Sequence, residues 1–383
     1  MLVGDLVRVM ESMAPPSFAE PWDRVGLQVG AADRRIEGAI LLTIDLTERV
    51  LAEAAQLDAG AIIAYHPPIW NPLTSLGDST AQERIIRGAI EAGIAVYTPH
   101  TALDAAEGGI TDWLCEGISA EAGQAKEGAI AGDCRALVPG VESDGSQQVK
   151  IVTFAPADSV EQIRGALGTA GAGMIGQYQL CSFESPGSGT FLPGPGTKPA
   201  IGTPGRLERT DEVRLEMVCS RRGLALAVET LREFHPYEEA AFDVYELQGK
   251  PSRRIGAGRR LTLDRPATIE ELCERLKSHL GRARVRYALA GESRTFETLG
   301  VVPGAGESML GDAAADGCEL FVTGEMRHHD IVGALHRGVS VLLAGHTNTE
   351  RGYLPRLARR LSDSLHGARI EIARADQDIL TTA

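Results

Sequence analysis

Apolar residues along this chain fall into short runs, and amphipathic stretches separate them. Ala39 to Ile44, Ala61 to Ala64 and Ile94 to Tyr97 are apolar enough to be strands buried on both faces. Between them, Glu48 to Leu57 and Ala81 to Ala92 have helical periodicity. Thr47 is placed to cap the first helix, whose acid lies in its first turn, and Gly93 stops the second. Asp45, at the end of a strand, is read as a further capping residue beside Thr47, with support of a ligand in the site as its alternative. This βαβαβ rhythm predicts parallel strands covered by helices.

Residues 121–148 are rich in Gly, Ala and acids and read as a boundary. A different order follows. Val149 to Phe154 is a strand, Ser159 to Ala170 a helix, Asp211 to Val218 a half-buried strand, Arg221 to Phe234 a helix and Ala240 to Leu247 a strand. That order suits a ferredoxin-like domain. The runs Ser185 to Gly189 and Pro193 to Gly196 are expected in an exposed loop or hairpin. The α/β pattern then returns: helices at Ile269 to Leu280 and His329 to Arg337, strands at Thr298 to Val302, Glu319 to Val322 and Val339 to Ala344, and a long helix from Thr349 to Leu365. The expectation is a discontinuous α/β core, 1–125 plus 253–383, interrupted by an inserted α+β domain at 147–249.

Composition narrows the function classes. The chain has 383 residues, 38 basic and 52 acidic, for a net charge of −14. So acidic a surface argues against general nucleic-acid binding and against docking on anionic membranes. The six cysteines form no CxxC pair, which leaves scattered reduced thiols rather than a zinc finger or a disulfide framework. Cys115 and Cys318 have no histidine partner in sequence that would make them nucleophiles. Met1 to Asp5 lacks the basic start and apolar core of a signal peptide, and no apolar run approaches the ~20 residues of a membrane span. The expected compartment is the cytoplasm.

The chemistry-bearing residues lie just past strand ends. His66 follows one strand, His100 and Asp104 the next, and His346 and Glu350 the last. In open α/β sheets ligands collect outside the carboxyl ends of strands, so distant segments can bring imidazoles and carboxylates to one place. That donor set suits zinc or another divalent first-row metal. His346 and Glu350 are four apart, on one face of a helix start. Spacing alone leaves a solvent-exposed pair equally open, and it favours a core histidine at His66. Asp104 has the alternative of capping a helix. Glu325 beside His328 and His329 suits acid/base work near a metal, or a solvated turn. The glycines of Pro303-Gly304-Ala305-Gly306 follow a strand without a P-loop lysine and read as a tight turn able to reach an anion.

Five separated blocks resemble a known family. They are Trp22-Asp23-Arg24-Val25-Gly26-Leu27-Gln28-Val29-Gly30, Tyr65-His66-Pro67-Pro68-Ile69-Trp70, His100-Thr101-Ala102-Leu103-Asp104, Thr323-Gly324-Glu325-Met326-Arg327-His328-His329-Asp330 and Gly345-His346-Thr347-Asn348-Thr349-Glu350. The chain resembles the GTP cyclohydrolase I type 2 homolog family, also called Nif3-like. Gly171 to Tyr178 and His235-Pro236-Tyr237-Glu238-Glu239 are similar to the PII/CutA-like insert of its longer members.

The resemblance implies a dinuclear metal site and a ring-shaped homohexamer. It implies hydrolase-like chemistry on a small molecule, a nucleotide or related phosphorylated heterocycle. The implied ligands are His66, Asp104, His346 and Glu350, holding two divalent ions per subunit, zinc first and manganese or iron next. His329 or Glu325 would then move protons, and His100 would support the site or touch substrate. Tyr65 stands where many bacterial members have a histidine, and a phenol is a poorer zinc ligand than an imidazole. The other reading is a non-enzymatic, metal-stabilised scaffold or regulatory ring.

Overall fold

The computed structural model describes residues 1–142 and 145–380. They divide into two compact units, Met1–Gly140 with Ser252–Ala383, and Val141–Pro251. In chain order the first stretch carries β1 (Gly26–Val29), β2 (Ala39–Thr43), β3 (Ala61–Ala64), β4 (Ala95–Thr98) and β5 (Gly132–Glu142). The middle carries β6 (Val149–Ala155), β7 (Phe183–Phe191), β8 (Glu208–Cys219) and β9 (Phe242–Glu246). The last stretch carries β10 (Lys250–Thr268), β11 (Arg286–Ala288), β12 (Thr295–Val301), β13 (Leu320–Thr323), β14 (Ser340–Leu343) and β15 (Arg369–Ile372).

The first unit holds two sheets, ordered β1-β4-β3-β2-β15 and β11-β14-β13-β12-β10-β5. As the apolar rhythm predicts, β2, β3 and β4 are parallel. A parallel β15 and an antiparallel β1 close the edges. In the second sheet β12, β13 and β14 are parallel. The two-residue period of a strand divides its side chains between two cores. Leu41, Ile62 and Val96 face one core with Val50, Ala54 and Ile86. Ile40, Leu42 and Ile63 face another, which also takes Leu299, Val301, Leu320 and Val322 from the second sheet. Helices Ile110–Ser119, Ile269–Leu280 and Leu354–Ser364 fill this shared core between the sheets.

Helix Ile110–Ser119 is buried along its whole length, so its polar groups need partners. Asp112 pairs with Arg259, which is 1% exposed and also donates to the carbonyls of Gly256, Gly258, Ala105, Ala106 and Arg254. Glu116 pairs with the buried Arg356.

Two expectations are corrected. The 121–148 boundary contains β5, an edge strand of the six-stranded sheet. Its Gly132 has φ +136, and a Cβ there would lie 2.2 Å from the Thr262 carbonyl, so the glycine marks close backbone packing rather than a linker. The long C-terminal helix is two helices, Asn348–Arg351 and Leu354–Ser364. A Cβ on Gly352 would meet the Trp113 ring at 2.5 Å, and Pro355 restarts the helix in its first turn. The exposed hairpin expected at Ser185 to Gly189 is present as β7 paired antiparallel to β8 from Phe183↔Glu216 to Phe191↔Glu208. Pro186 is tolerated there because β7 is an edge strand.

The second unit is one sheet, β7-β8-β6-β9, antiparallel throughout. Helix Val160–Thr169 lies between β6 and β7 in sequence, and helix Leu224–Phe234 between β8 and β9. This is the ferredoxin-like order. Its core of Val149, Ile151, Ile163, Leu167, Leu215, Met217 and Leu231 belongs to this unit alone.

Candidate metal centre

In the first unit the carboxyl ends of the parallel strands supply the site. His66 follows β3 and Asp45 follows the adjacent β2. His100 and Asp104 lie in the short helix after β4. Gly304, Glu325 and His346 follow β12, β13 and β14, and Glu350 lies in helix Asn348–Arg351. The backbone holds these ends in register: His66 N donates to the Ile44 carbonyl, Ala344 N to Thr323 and Gly345 N to Gly324.

His66, His346 and Glu350 converge, each offering a ligand atom within 4.8 Å of the others. The Glu350 oxygens lie 3.5 Å from His66 Nε2 and 3.5 Å from His346 Nε2. The two imidazole rings are 5.4 Å apart. Glu350 is 1% exposed, and its Oε2 is buried without a hydrogen-bond partner. A buried carboxylate in that condition is costly unless a cation meets it. The remote ring nitrogens are held in turn, His66 Nδ1 by Asp45 at 2.9 Å and His346 Nδ1 by Glu325 at 2.9 Å. A carboxylate on the far nitrogen fixes the ring and turns Nε2 toward the site, as in many metal centres. The donor set therefore fits a divalent ion.

The electrostatics agree. Burial draws the His66 pKa down, but the hydrogen bond to Asp45 and the neighbouring Glu350 charge outweigh it and push it up to about 10. The pocket thus holds surplus negative charge that a proton neutralises when no divalent ion does so. Gly304, at φ +60, opposes the pair. A Cβ there would come within 2.8 Å of Glu350 Oε1 and 3.2 Å of His346 Nε2. Gly304 N donates to Thr349 Oγ1, which donates to the His346 carbonyl.

Asp104 lies deeper. Its Oδ1 accepts from the Tyr65 hydroxyl at 2.7 Å. Burial, with the Glu350 charge nearby, pushes the Asp104 carboxyl well above the usual range. Burial and Asp104 likewise push the Tyr65 phenol up. Tyr65 is therefore a protonated donor that holds Asp104.

His100 adopts φ +30, a backbone region non-glycine residues seldom occupy. Its Nδ1 is held by Asp23 at 2.7 Å, and Asp23 also accepts from Thr101 N and Oγ1 and from Arg24 N. Despite burial, which raises it, the bonds from His100 and Thr101 keep the Asp23 carboxyl below its ordinary value. The His100 ring lies 5.5 Å from His66, 5.7 Å from Trp70 and 6.0 Å from Trp22. Trp22 and Trp70 are 53% and 45% exposed, with rings 5.6 Å apart.

The structure thus brings together His66, His346 and Glu350. It gives Glu325 to His346 and leaves His329 exposed, its ring against His328. Asp45 does not cap the following helix. Thr47 alone accepts the Val50 amide, and Asp45 holds His66. The structural roles of Asp45, Asp23 and Gly304 were not evident from spacing, since adjacency of neighbouring strand ends creates them.

Fold and site define the class: an α/β protein carrying a His–His–carboxylate group, able to bind a metal, where parallel strands of two sheets end. The chain belongs to the Duf34/NIF3 (NGG1p interacting factor 3) family, whose model matches residues 1–378. It is 32% identical over 379 residues to the GTP cyclohydrolase 1 type 2 homolog of Bacillus subtilis, covering 98% of this chain and 97% of that protein. It is 31% identical over 380 residues to NIF3-like protein 1 of Bos taurus, covering 98% and 91%. The crystal structure of the Staphylococcus aureus protein SA1388 superposes with a TM-score of 0.79 at 26% identity, over 100% of this chain and 99% of that one. Among the described residues no helix is long and apolar enough to cross a membrane.

Proposed function

We propose that this protein is a metal-dependent hydrolase acting on a nucleotide or a related phosphorylated heterocycle. The observation that carries the reading is the buried Glu350 carboxylate, its Oε2 without a hydrogen-bond partner and facing His66 while its Oε1 faces His346. These three residues would hold one ion, and Asp104, close enough to feel the Glu350 charge, would serve a second position. A bound divalent ion lowers the pKa of water and polarises a substrate oxygen. Asp45 and Glu325 keep His66 and His346 oriented, and Tyr65 keeps Asp104 in place. His100, fixed by Asp23 beside His66, is the substrate contact. The exposed rings of Trp22 and Trp70 next to it offer a stacking wall for a flat heterocycle. Glu325 is assigned to orientation rather than proton transfer, because His346 occupies it. Zinc suits the imidazole-rich set best. The assembly expected is a homohexamer, a reading that rests on the family resemblance and is checked by light scattering.

The test is metal content per subunit by plasma mass spectrometry, for wild type and for His346→Ala with Glu350→Ala. About two ions in wild type, lost in the double variant, together with metal-dependent turnover in a nucleotide hydrolysis screen, is the expected result. Failure to take up zinc, manganese or iron on reconstitution would remove the hydrolase reading. Metal that is bound and required for assembly but supports no turnover would move the assignment to the scaffold.

A further inference from the structure

The second unit contains a cavity of about 300 Å³ that the metal chemistry does not use. Its walls are the end of β7, the loop after it and the turn after helix Leu224–Phe234. Phe191, Pro193 and Ile201 supply apolar surface, and Tyr237, Glu212 and Glu238 supply the polar groups. The volume is at the lower end of small-molecule sites, and the mixture of apolar wall with few polar groups is typical of them.

The polar groups are built in. His235 is 6% exposed, and its Nδ1 accepts the Tyr237 amide at 3.1 Å. Its Nε2 must then carry the hydrogen and donate to the Phe154 carbonyl at 3.0 Å. Burial lowers the His235 pKa, in keeping with this neutral form. A neutral histidine thus fixes the turn that carries Tyr237, Glu238 and Glu239. The Tyr237 hydroxyl is buried beside Glu212. Burial and that neighbour push it up to about 12, so it is a neutral phenol. Glu212 crosses Gly189 on the neighbouring strand. A Cβ at Gly189 would meet Glu212 Oε2 at 2.2 Å, so the glycine makes room for this carboxylate. Across the mouth, Lys198 N donates to Glu238 Oε2 at 2.9 Å, tying the loop to the turn.

Charge decides the ligand class. Glu212, Glu238 and Glu239 line the cavity, and the lysine on its loop, Lys198, is exposed. The rings of Phe191 and Tyr237, 6.4 Å apart, add faces that attract cations. We propose that this cavity binds a small organic ammonium ion with an apolar body, its N–H groups meeting Glu212 and its hydrocarbon part lying against Phe191, Pro193 and Ile201. An anion would face three carboxylates. A bare metal ion would leave the apolar wall unused.

The probe is n-butylammonium, with n-butanol and butyrate as neutral and anionic counterparts. Each is titrated into the full-length protein by calorimetry and saturation-transfer NMR. The expected result is saturable n-butylammonium binding at least tenfold tighter than n-butanol, and none for butyrate. Glu212→Gln should weaken it about tenfold. Ile201→Arg, which places a fixed cation at the mouth on an exposed residue, should abolish it. Both variants should keep wild-type circular dichroism and metal content. Equal binding of n-butanol and n-butylammonium, binding unaffected by either variant, or no saturation by n-butylammonium would each overturn the proposal.

Discussion

At Gly304 one missing methyl group decides whether the site exists. The residue needs φ +60, and its Cα faces both Glu350 Oε1 and His346 Nε2. Gly304→Ala adds backbone strain of about 1–2 kcal/mol and crowds two of the three converging side chains. The expected outcome is a modest fall in melting temperature with at least a tenfold loss of metal affinity, read by thermal unfolding and zinc titration. An unchanged affinity would show that the pair tolerates displacement. The residues that point into the site stand out in the sequence as strand-end histidines and an i,i+4 carboxylate, but spacing alone leaves a solvent-exposed pair equally open and favours a core histidine at His66; the family resemblance makes them expected ligands. Their supports do not stand out. Asp45 looks like a cap until the parallel register puts the end of β2 beside the end of β3. Glu325 looks like an acid/base group until its carboxylate is found on His346 Nδ1. Both roles arise between neighbouring strands, where one-dimensional spacing is silent.

Between elements, the contact of helix Ile269–Leu280 with helix Ile110–Ser119 carries its own pH dependence. His279 lies against Trp113, ring centroids 4.4 Å apart, and over Gly117, where a Cβ would touch its ring at 2.2 Å. Burial lowers its pKa to about 4, and its Nε2 has no partner. The unfolded chain, with an ordinary histidine near 6.5, binds more protons between these values, so stability rises with pH there. The contribution is whole above pH 6.5 and is lost as pH falls toward 4. At its steepest this approaches about 1.4 kcal/mol per pH unit. Denaturant unfolding of wild type and His279→Leu from pH 7.5 to 4.5 should show a wild-type slope that the variant lacks; parallel curves would refute it. Periodicity located helix Ile269–Leu280 but not its partner Ile110–Ser119, whose buried faces run all round, and it missed β5 and β10. The apolar strands β2, β3 and β13 announce themselves because both faces are buried. β10 carries Arg253, Arg254, Arg259 and Arg260. Arg259 is buried only because carbonyls and Asp112 surround it, a circumstance that hydropathy cannot reveal.

For the molecule as a whole, two units that share no core residues should melt as two transitions. The candidate metal ligands and their supports all lie in the first unit, and the second has its own core and sheet. A ligand stabilises only what binds it, by RT ln(1 + [L]/Kd). Scanning calorimetry with added zinc should raise one transition by several degrees and leave the other in place. A single transition that moves as one would show that the units unfold together. The α/β core and the ferredoxin-like order were both legible from the rhythm of apolar runs. The membership of each strand in one of two sheets was not, since strands from both supply a single core.

The interruption of the first unit by the second also sets an order of events at the ribosome. The five-stranded sheet lacks β15 and the six-stranded sheet lacks all but β5 until the chain beyond Pro251 has emerged. The middle segment needs no later residue to complete its sheet. At translation rates of 5–20 residues per second, His66 waits roughly 15–60 s for His346 and Glu350 to be made. The segment synthesised second is therefore the one able to fold first, and His66, His346 and Glu350 come together only among the last steps in the birth of the protein.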